Sequence, residues 1–456
     1  MQKLFEEVGS LDKRCYEKFK LNEDILMEHA SNGMAKFIRN KFEKNSKVIV
    51  VVGSGNNGAD GMALARLLYG DYDVSIFYAK PPKSKMALLQ KQRADAIGIV
   101  ECQEITKCTV LVDAIVGTGF SGEFDKNISN LLEIMNSIDA YKIACDIPSG
   151  YMFYADTTLT MGALKKAMFL DAHKDFVGDI KVLNLGVSRL VYETDTNWHL
   201  LDMEDLKLPY RDAKNTHKGS FGHLAIAHGE KGGASILSAS SALRFGAGLV
   251  TLVGFKNNSI PHSIMNSDQL PSTTTALAMG MGLGDKFSDI ELARFLDNTY
   301  PLIADADIFA MDILESILKR KDLVLTPHPK EFVTALKRLG LVDITIEELQ
   351  KNRFKYVEIF CTKYQNVTLL LKGANVIIAQ NNSFYINPHG SSILAKGGSG
   401  DVLSGLIGAL LAQGYNCLDA TITASLTHTK LAQNYKGADF SLTPEDLIDG
   451  IYSIIL

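Results

Sequence analysis

Residues 48–61 read VIVVVGSGNNGADG, and this stretch decides the fold class of the first half of the chain. Five consecutive β-branched residues predict a buried strand, and Gly53, Gly55 and Gly58 predict the turn that follows it. Apolar residues at helical spacing come next, from Ala63 to Leu68. A strand, a glycine-rich turn and a helix in this order indicate an α/β domain with a largely parallel sheet.

The same alternation of strands and helices continues along the chain, with one interruption. Residues Asn197 to His217 are polar, lose the apolar period and contain Pro209, which is typical of a linker. A second α/β pattern starts at His223. We therefore predict two domains, at residues 1–205 and 215–456. Predicted strands are Val48–Val52, Val74–Tyr78, Val110–Ala114 and Lys142–Asp146 in the first, and His223–Ala227, Leu249–Gly254, Leu302–Asp305, Leu323–Leu325, Thr368–Leu371 and Val376–Ala379 in the second.

Composition excludes several classes of function. The chain has 456 residues and a net charge of −5, which gives no support to a nucleic-acid or anionic-membrane partner. The six cysteines are scattered without metal-ligand spacing, and the N-terminus lacks an apolar signal core, so we expect a cytoplasmic protein with reduced thiols. The apolar run Val402–Leu418 is interrupted by glycines and polar residues, which favours a buried helix over a membrane span.

The loop after the first strand carries polar groups suited to a ligand. Gly53, Gly55 and Gly58 fit the dinucleotide fingerprint, but the next strand ends in Ala79-Lys80 without the acidic residue that holds a ribose. The sequence therefore gives little support to an enzyme that transfers hydride with NAD. The loop does offer Asn56, Asn57 and Asp60, together with backbone N–H groups that can face an anion. The alternative is that Asp60 only caps the helix.

Two further loops follow predicted strands of the same sheet. Residues 113–123 read DAIVGTGFSGE, and residues 146–150 read DIPSG. Because ligands of open α/β sheets bind at the carboxyl ends of strands, we expect the three loops to converge. In this order, the three motifs resemble the NAD(P)HX epimerase family over about residues 1–205, where NAD(P)HX denotes NADH or NADPH hydrated on its nicotinamide ring. This resemblance implies a Rossmann-like three-layer α/β/α domain.

The resemblance also implies roles for particular residues. Hard oxygen donors suited to a potassium ion match at Asn57, Asp113 and Ser149. The family's ligand-binding positions match at Asn56, Asn57, Gly58, Ala59, Asp60, Gly117, Thr118, Gly119, Phe120, Ser121, Gly122, Glu123 and Asp146. One departure is Ala59, where the family usually has glycine. Epimerisation at the hydrated carbon needs hydroxide loss to an iminium ion, or ring opening, and a carboxylate would stabilise the cation. Asp146 is the candidate; alternatively it only orients its loop.

The second half carries a glycine-rich run at residues 396–401, KGGSGD, directly before the apolar helix. Glycines at a helix N-terminus let several backbone N–H groups point at one anion, and the helix dipole favours negative charge there. Asp401 can accept the proton of an attacking hydroxyl, or it can serve only as a helix cap. The run resembles the anion hole of the ribokinase-like superfamily, which implies a C-terminal ribokinase-like α/β/α domain.

Further motifs narrow the resemblance. KGSFGH at 218–223, MGMGLG at 279–284, TPHPKEF at 326–332 and LKGAN at 371–375 together resemble the ADP-dependent NAD(P)HX dehydratase family over about residues 215–456. The match implies that Lys372, Gly373, Ala374, Asn375, Val376 and Gly400 hold the adenine nucleotide, and that Ala247, Gly284, His328 and Asp401 face the hydrated nicotinamide. His328 by itself would more often be a structural loop histidine. Ser399 and Val376 stand where the family usually has threonine, which leaves the preference for ADP or ATP open.

These observations predict a bifunctional enzyme of nicotinamide nucleotide repair. The first domain would interconvert the R and S epimers of NADHX and NADPHX. The second would use ADP, with Mg²⁺, to convert the S epimer to NAD(P)H, AMP and phosphate. One alternative is a ribokinase-like vitamin-precursor kinase fused to a nucleotide-sensing domain, and another is a non-catalytic first half that acts as a binding module. The apolar stripe of the predicted helix Asn22–Phe42 packs on its own sheet or also supports the homo-oligomer that we expect.

Overall fold

The computed structural model describes residues 1–120, 122–254, 260–284, 287 and 289–455. The chain divides into two compact units. The N-terminal unit comprises Lys3–Thr196, and the C-terminal unit comprises Asn197–Leu456 together with Met1–Gln2. Both units are α/β structures built on parallel sheets, as the alternation of strands and helices predicts.

Within the described residues, the first part of the chain forms nine strands and seven α-helices. The strands are β1 (Gln2–Phe5), β2 (Lys47–Val52), β3 (Asp73–Tyr78), β4 (Val100–Glu101), β5 (Val110–Ala114), β6 (Tyr141–Cys145), β7 (Thr157–Met161), β8 (Leu164–Lys165) and β9 (Asp179–Leu183). The helices are α1 (Gly9–Lys18), α2 (Glu23–Lys41), α3 (Asn56–Leu68), α4 (Lys85–Ala96), α5 (Lys126–Ser137), α6 (Lys174–Val177) and α7 (Arg189–Tyr192).

Seven of these strands make one parallel sheet in the order β4-β3-β2-β5-β6-β7-β9. Alternate residues of β2 serve opposite layers, since successive side chains of a strand point to opposite faces. Val48 and Val50 pack in a core with α2, α3 and α4, while Ile49 and Val51 pack in a core with α5. The apolar stripe of α2 lies in the first of these cores. These layers confirm the three-layer α/β/α prediction.

The remaining chain forms ten strands and nine helices within the described residues. The strands are β10 (Trp198–Leu200), β11 (His223–His228), β12 (Leu249–Gly254), β13 (Met265–Ser267), β14 (Ala276–Met279), β15 (Leu302–Ala304), β16 (Leu323–Leu325), β17 (Val367–Leu371), β18 (Val376–Gln380) and β19 (Ser383–Asn387). The helices are α8 (Gly232–Arg244), α9 (Asp289–Leu296), α10 (Ile313–Ile317), α11 (Pro329–Arg338), α12 (Ile346–Lys351), α13 (Arg353–Lys363), α14 (Ser399–Ala412), α15 (Cys417–Asn434) and α16 (Pro444–Gly450).

The C-terminal sheet runs β13-β12-β11-β14-β15-β16-β17-β18-β19-β10. It is parallel from β13 to β17, and the hairpin β17–β18–β19 is antiparallel. Leu224 and Leu370 face a core formed with α8, α14 and α15. The helix α13 contacts β17 and β18, and its Phe360 packs against Phe332 of α11. Among the described residues, no helix has both the length and the apolar character needed to cross a bilayer.

The stretch expected to be a linker contains a strand. Trp198–Leu200 pairs in parallel with Phe384–Ile386, and the Trp198 ring stacks on Phe384 with their centroids 4.5 Å apart. Along the chain, the boundary between the two compact units therefore lies between Thr196 and Asn197. Three residues are too few to show the alternating pattern from which a strand is recognised in a sequence.

Candidate active sites

Three loops of the N-terminal unit meet at the carboxyl ends of β2, β5 and β6, which are neighbours in the sheet. They enclose a cavity of about 500 Å³. Gly58 is required here because a Cβ atom on it would lie 2.1 Å from the Gly53 carbonyl oxygen. The lining residues are Val8, Asp12, Ser54, Gly55, Asn56, Asn57, Asp60, Ile115, Val116, Gly117, Thr118, Gly119, Phe120, Asp146 and Met161.

Asp146 is held from one side by a buried lysine. Its backbone lies in the left-handed region, with φ of 71°. The Oδ1 atom accepts hydrogen bonds from the Lys165 ammonium group and from the Met161 backbone N–H, the latter at 3.0 Å. The Lys165 side chain is only 1% exposed. The Oδ2 atom faces Gly117, because a Cβ atom built there would lie 3.4 Å from it.

Asp113 is fully buried beside Ser149. The Ser149 hydroxyl and backbone N–H donate to its two carboxylate oxygens over 2.6 and 2.7 Å, and the Ile115 N–H donates over 3.1 Å. Burial raises the pKa of Asp113 to about 6, although these hydrogen bonds act in the opposite direction. Within the described chain these contacts include no ion pair to Asp113. Asn57 is also buried, and its Oδ1 atom lies 3.4 Å from the Cβ position of Gly117.

Two other carboxyl groups line the cavity. Burial and the neighbouring carboxylates of Asp146, Asp12 and Glu23 raise the pKa of Asp60 well above its usual range. Burial also raises the pKa of Asp12, which accepts a hydrogen bond from the Tyr192 hydroxyl at 2.7 Å. The ion pair with Lys165 belongs to Asp146, and the environments of the three carboxyl groups therefore differ.

The structure brings most of the sequence-predicted residues of this site together. Gly58 and Ala59 are buried within α3, behind the cavity lining. Gly122 and Glu123 are exposed and do not line the cavity. Ser121 lies outside the described residues.

In the C-terminal unit, the glycine-rich run forms the first turn of α14. Gly398 precedes the helix with φ of 90°, and no side chain caps the turn. The Lys372 ammonium group would lie 3.3 Å from a Cβ atom on Gly400. The same group forms a bidentate ion pair with Asp305, at 2.8 and 2.9 Å. The Lys372 ammonium group therefore lies beside the N-terminal turn of a helix, which suits a phosphate group.

Asp401 lies in the same first turn and is partly exposed. Burial and the negative charge of Asp305 raise the pKa of Asp401 to about 6, while Lys372 acts in the opposite direction. The Ser238 hydroxyl of α8 donates to the Asp401 carbonyl oxygen at 2.8 Å and so anchors the turn. A carboxyl group with this pKa is largely ionised at neutral pH and can accept a proton.

His328 forms the N-cap of α11. Its Nδ1 atom accepts hydrogen bonds from the backbone N–H groups of Lys330 and Glu331, and the Glu331 carboxylate accepts from the His328 N–H at 2.8 Å. Burial lowers the pKa of His328 and raises that of Glu331 to about 7. The ring has a structural role as a cap, yet its side chain stays 47% exposed beside the Lys372–Asp305 pair.

The other predicted residues of this site lie at two opposite edges of the sheet. Lys372, Gly373, Ala374 and Asn375 form the turn between β17 and β18, and Val376 begins β18. Gly284 follows β14 and donates its N–H to Asp307 at 3.1 Å. Ala247, however, lies in the turn before β12, at the opposite edge of the sheet, and is 2% exposed in the core. The reason is that α8 runs back from the carboxyl edge, so the turn at its end cannot reach Asp401.

Several residues of both sites were missed from the sequence. Lys165 and Thr160 contact Asp146. Asp305 binds Lys372 and accepts a hydrogen bond from Ser404, and Glu331 pairs with His328. The charged residues among these have only one signal, a charged side chain next to an apolar run, and Thr160 and Ser404 lack even that. That signal does not say which partner the charge meets.

Two family models match the chain, one for each unit. The model described as YjeF-related protein N-terminus matches residues 23–167, and the model described as NAD(P)H-hydrate dehydratase matches residues 224–452. A bifunctional NAD(P)H-hydrate repair enzyme of Helicobacter pylori is 40% identical over 99% of both chains. An enzyme of the same name from Dictyoglomus turgidum is 32% identical over 97% of this chain and 96% of its own length.

Among solved structures, the ADP/ATP-dependent NAD(P)H-hydrate dehydratase of Bacillus subtilis, co-crystallised with ATP and Mg²⁺, is 28% identical. It matches 56% of this chain and 96% of its own, with a TM-score of 0.49.

Proposed function

The chain belongs to the family of bifunctional NAD(P)H-hydrate repair enzymes, and we propose that its two units catalyse consecutive steps of one repair. The N-terminal unit interconverts R- and S-NAD(P)HX. The C-terminal unit dehydrates S-NAD(P)HX to NAD(P)H and converts ADP to AMP and phosphate. The observation that carries this proposal is the pair of sheet-edge sites, each with a carboxylate beside a lysine: Asp146 with Lys165, and Asp401 with Lys372.

In the epimerase site, Asp146 supplies the negative charge that the reaction needs. When the C6–O bond of the hydrate breaks, a cation develops on the ring, and the hydroxyl leaves as water once it has taken up a proton. Water then adds to the other face of C6 and releases a proton, so that atoms and charges balance. The Oδ2 atom of Asp146, which faces Gly117, stabilises the cation electrostatically. The backbone of Gly117–Phe120 and the side chains of Asn56 and Asp60 bind the rest of the nucleotide.

Potassium fits the group formed by Asn57, Asp113 and Ser149. All three offer oxygen atoms, which suit a hard monovalent cation, and the buried Asp113 carboxylate has hydrogen bonds as its described contacts. The Asn57 Nδ2 atom is buried without a protein partner among the described residues. No hydrogen bond from that atom to the described chain therefore fixes the orientation of the carboxamide. A bound cation would supply positive charge next to the loop that binds the substrate.

In the dehydratase site, Asp401 acts as the general base. It takes the proton from the C6 hydroxyl of S-NAD(P)HX, whose oxygen attacks the β-phosphorus of ADP, and the P–O bond to AMP breaks. Phosphate then leaves C6 while the neighbouring ring carbon loses a proton, which restores the double bond. The backbone N–H groups at the start of α14 and the Lys372 ammonium group stabilise the charge on the transferred phosphoryl group.

The remaining residues of this site bind the two substrates. We propose that Lys372–Val376 and Gly400 hold the adenine nucleotide, and that Gly284, His328 and Asp401 face the nicotinamide ring. Mg²⁺ is expected with the nucleotide, since phosphoryl transfer needs its charge neutralisation. Ala247 is not included, because it is buried at the opposite edge of the sheet.

One spectrophotometric assay tests the proposal. The purified chain is incubated with an R/S mixture of NADHX, ADP and Mg²⁺, and the absorbance of reduced nicotinamide is followed. We expect complete recovery of NADH with AMP and phosphate as products. A stable phosphorylated product without recovered NADH would instead indicate a kinase. Recovery that stops when the S epimer is exhausted would mean that the N-terminal unit is not an epimerase.

A further inference from the structure

Lys165 occupies an unusual position for a lysine. It ends the short strand β8, its side chain is 1% exposed, and it cannot reach solvent. A lysine ammonium group has three N–H donors, and burying it is costly unless they are used. Here Lys165 donates to Asp146 Oδ1, to Thr160 Oγ1 at 2.7 Å and to the Met161 carbonyl oxygen at 3.0 Å. All three donors therefore have partners.

These contacts divide the Asp146 carboxylate into two ends. The Oδ1 atom is held by Lys165, by the Met161 N–H at 3.0 Å and by the Thr160 hydroxyl at 3.4 Å. The Oδ2 atom faces the cavity at Gly117. Lys165 does not line the cavity, so it cannot contact a substrate there.

The ion pair between Lys165 and Asp146 matters because several carboxyl groups line the cavity. Three carboxyl groups, Asp12, Asp60 and Asp146, line it. A buried carboxylate next to others of its kind is stabilised when a cation is paired with it. Among the described contacts of these three carboxyl groups, the ion pair is the one between Lys165 and Asp146.

We infer that Lys165 is a positioning residue of the epimerase site, which places a positive charge beside Asp146, holds its Oδ1 atom and turns its Oδ2 atom towards the substrate. The inference rests on the proposed function of the N-terminal unit. Without Lys165, Asp146 would lose its paired positive charge and one of the three groups that hold its Oδ1 atom. The substrate would still bind to the Gly117–Phe120 loop, but the Asp146 carboxylate would no longer be held in place beside the cation formed at C6.

The test compares Lys165→Met with Lys166→Met in the full chain. Lys166 is the adjacent residue and is also buried, but it pairs with Glu6 at 2.5 Å, away from the cavity. Epimerisation of R-NADHX is measured as kcat and KM, and dehydration of pure S-NADHX by the same preparation reports an intact C-terminal unit. We expect Lys165→Met to lower the kcat of epimerisation at least about 100-fold with little change in KM. Lys166→Met should stay near the wild-type kcat.

Chemical rescue separates charge from packing. Lys165→Ala leaves a cavity, and added methylammonium or ethylammonium should restore part of kcat, whereas ethanol of similar size should not. Turnover close to wild type in Lys165→Met would overturn the inference. So would equal rescue of Lys165→Ala by the ammonium ions and by ethanol, or no rescue by either.

Further measurements distinguish a failure of the proposed function from a failure of this inference. A wild-type chain that does not epimerise NADHX contradicts the proposed function, whereas an active wild type with an active Lys165→Met contradicts only this inference. If the Lys165 variants do not fold, Thr160→Val decides, since it removes one acceptor of the ammonium group without changing the side-chain volume. It should lower kcat about tenfold, and a wild-type kcat in this variant would contradict the inference.

Discussion

The two proposed sites each contain a carboxylate and a lysine, but the pairs differ in geometry. Lys165 forms an ion pair directly with Asp146. Lys372 instead binds Asp305, which also accepts a hydrogen bond from Ser404 at 2.8 Å. Asp401 is therefore left without a direct ion pair among its described contacts, and burial raises its pKa to about 6. A general base benefits from a raised proton affinity, and Asp401 has one.

Replacing Asp401 with asparagine should abolish most dehydration and leave ADP binding intact. A carboxamide cannot accept the proton of the attacking hydroxyl, and loss of a general base costs on the order of 10² to 10⁴ in turnover. Asp419 offers a matched control, because it also lies in the first turn of a helix, α15. Asp419→Asn should turn over normally. Near-normal turnover in Asp401→Asn would contradict the assignment.

The raised pKa of Asp401 predicts a pH dependence. The carboxylate is the active form, so the rate of dehydration should fall as the pH drops through about 6 and the group takes up a proton. A profile of kcat against pH measures this limb. If the rate stays flat from pH 8 to pH 5, Asp401 is not the base whose ionisation limits turnover.

Potassium should affect the first reaction and not the second. We expect epimerisation to be faster in K⁺ than in Li⁺ at equal ionic strength, and Asp113→Ala to weaken the apparent affinity for K⁺ at least about tenfold. Dehydration of pure S-NADHX by the same variant is the internal control. Equal rates of epimerisation in K⁺ and Li⁺ would exclude the ion from this site.

At the scale of elements, the site of the C-terminal unit depends on close packing of α8 against α14. A Cβ atom on Gly405 of α14 would lie 2.1 Å from the Ser238 carbonyl oxygen and 2.1 Å from the Ser241 hydroxyl of α8. The hydroxyl groups of Ser238 and Ser241 donate to carbonyl oxygens of Asp401 and Val402, both at 2.8 Å. This contact sets where the first turn of α14, and with it Asp401, lies.

Gly405→Ala should therefore reduce both stability and dehydration. The methyl group must push the two helices apart, and overpacking of this kind costs about 1–3 kcal/mol. Gly233→Ala in α8 is the matched control, because a Cβ atom there meets no atom within 4 Å. That variant should be neutral or stabilised by up to about 1 kcal/mol. Urea titration of both variants measures the difference. Equal stabilities would mean that the helices tolerate a wider separation.

At the scale of the whole molecule, each compact unit contains its own hydrophobic core and its own proposed site. Trp198 stacks on Phe384 and packs edge-on against Phe354, so the strand Trp198–Leu200 belongs with the C-terminal sheet. We therefore propose Thr196 and Asn197 as the border of two independently active pieces, in place of the predicted border between residues 205 and 215.

Cutting the chain after Thr196 should give two soluble proteins. The piece 197–456 should consume only S-NADHX and then stall, and adding the piece 1–196 should restart NADH recovery. A cut after Asp205 should yield a less stable C-terminal piece, because it removes Trp198 from its aromatic partners. The recovery curves and thermal melting of the pieces measure both effects. A piece 197–456 that precipitates while the intact chain works would contradict the border.

Local patterns in the sequence determined the fold class and the main outline of both sites. The strand, glycine turn and helix at residues 48–61, and the glycine-rich helix start at 396–401, are encoded by neighbouring residues. Backbone propensity and apolar period act over such short distances. The carboxyl ends of parallel strands also share one edge, so the convergence of the loops at Asp113 and Asp146 could be predicted.

Only the tertiary structure decided which charges meet. Lys165 and Asp146 are 19 residues apart, and Lys372 and Asp305 are 67 apart. Nothing local links them, because an ion pair is specified by the packing of whole strands and not by spacing along the chain. Tertiary structure also separates Ala247 from the dehydratase site, because the direction of α8 places Ala247 at the far edge of the sheet.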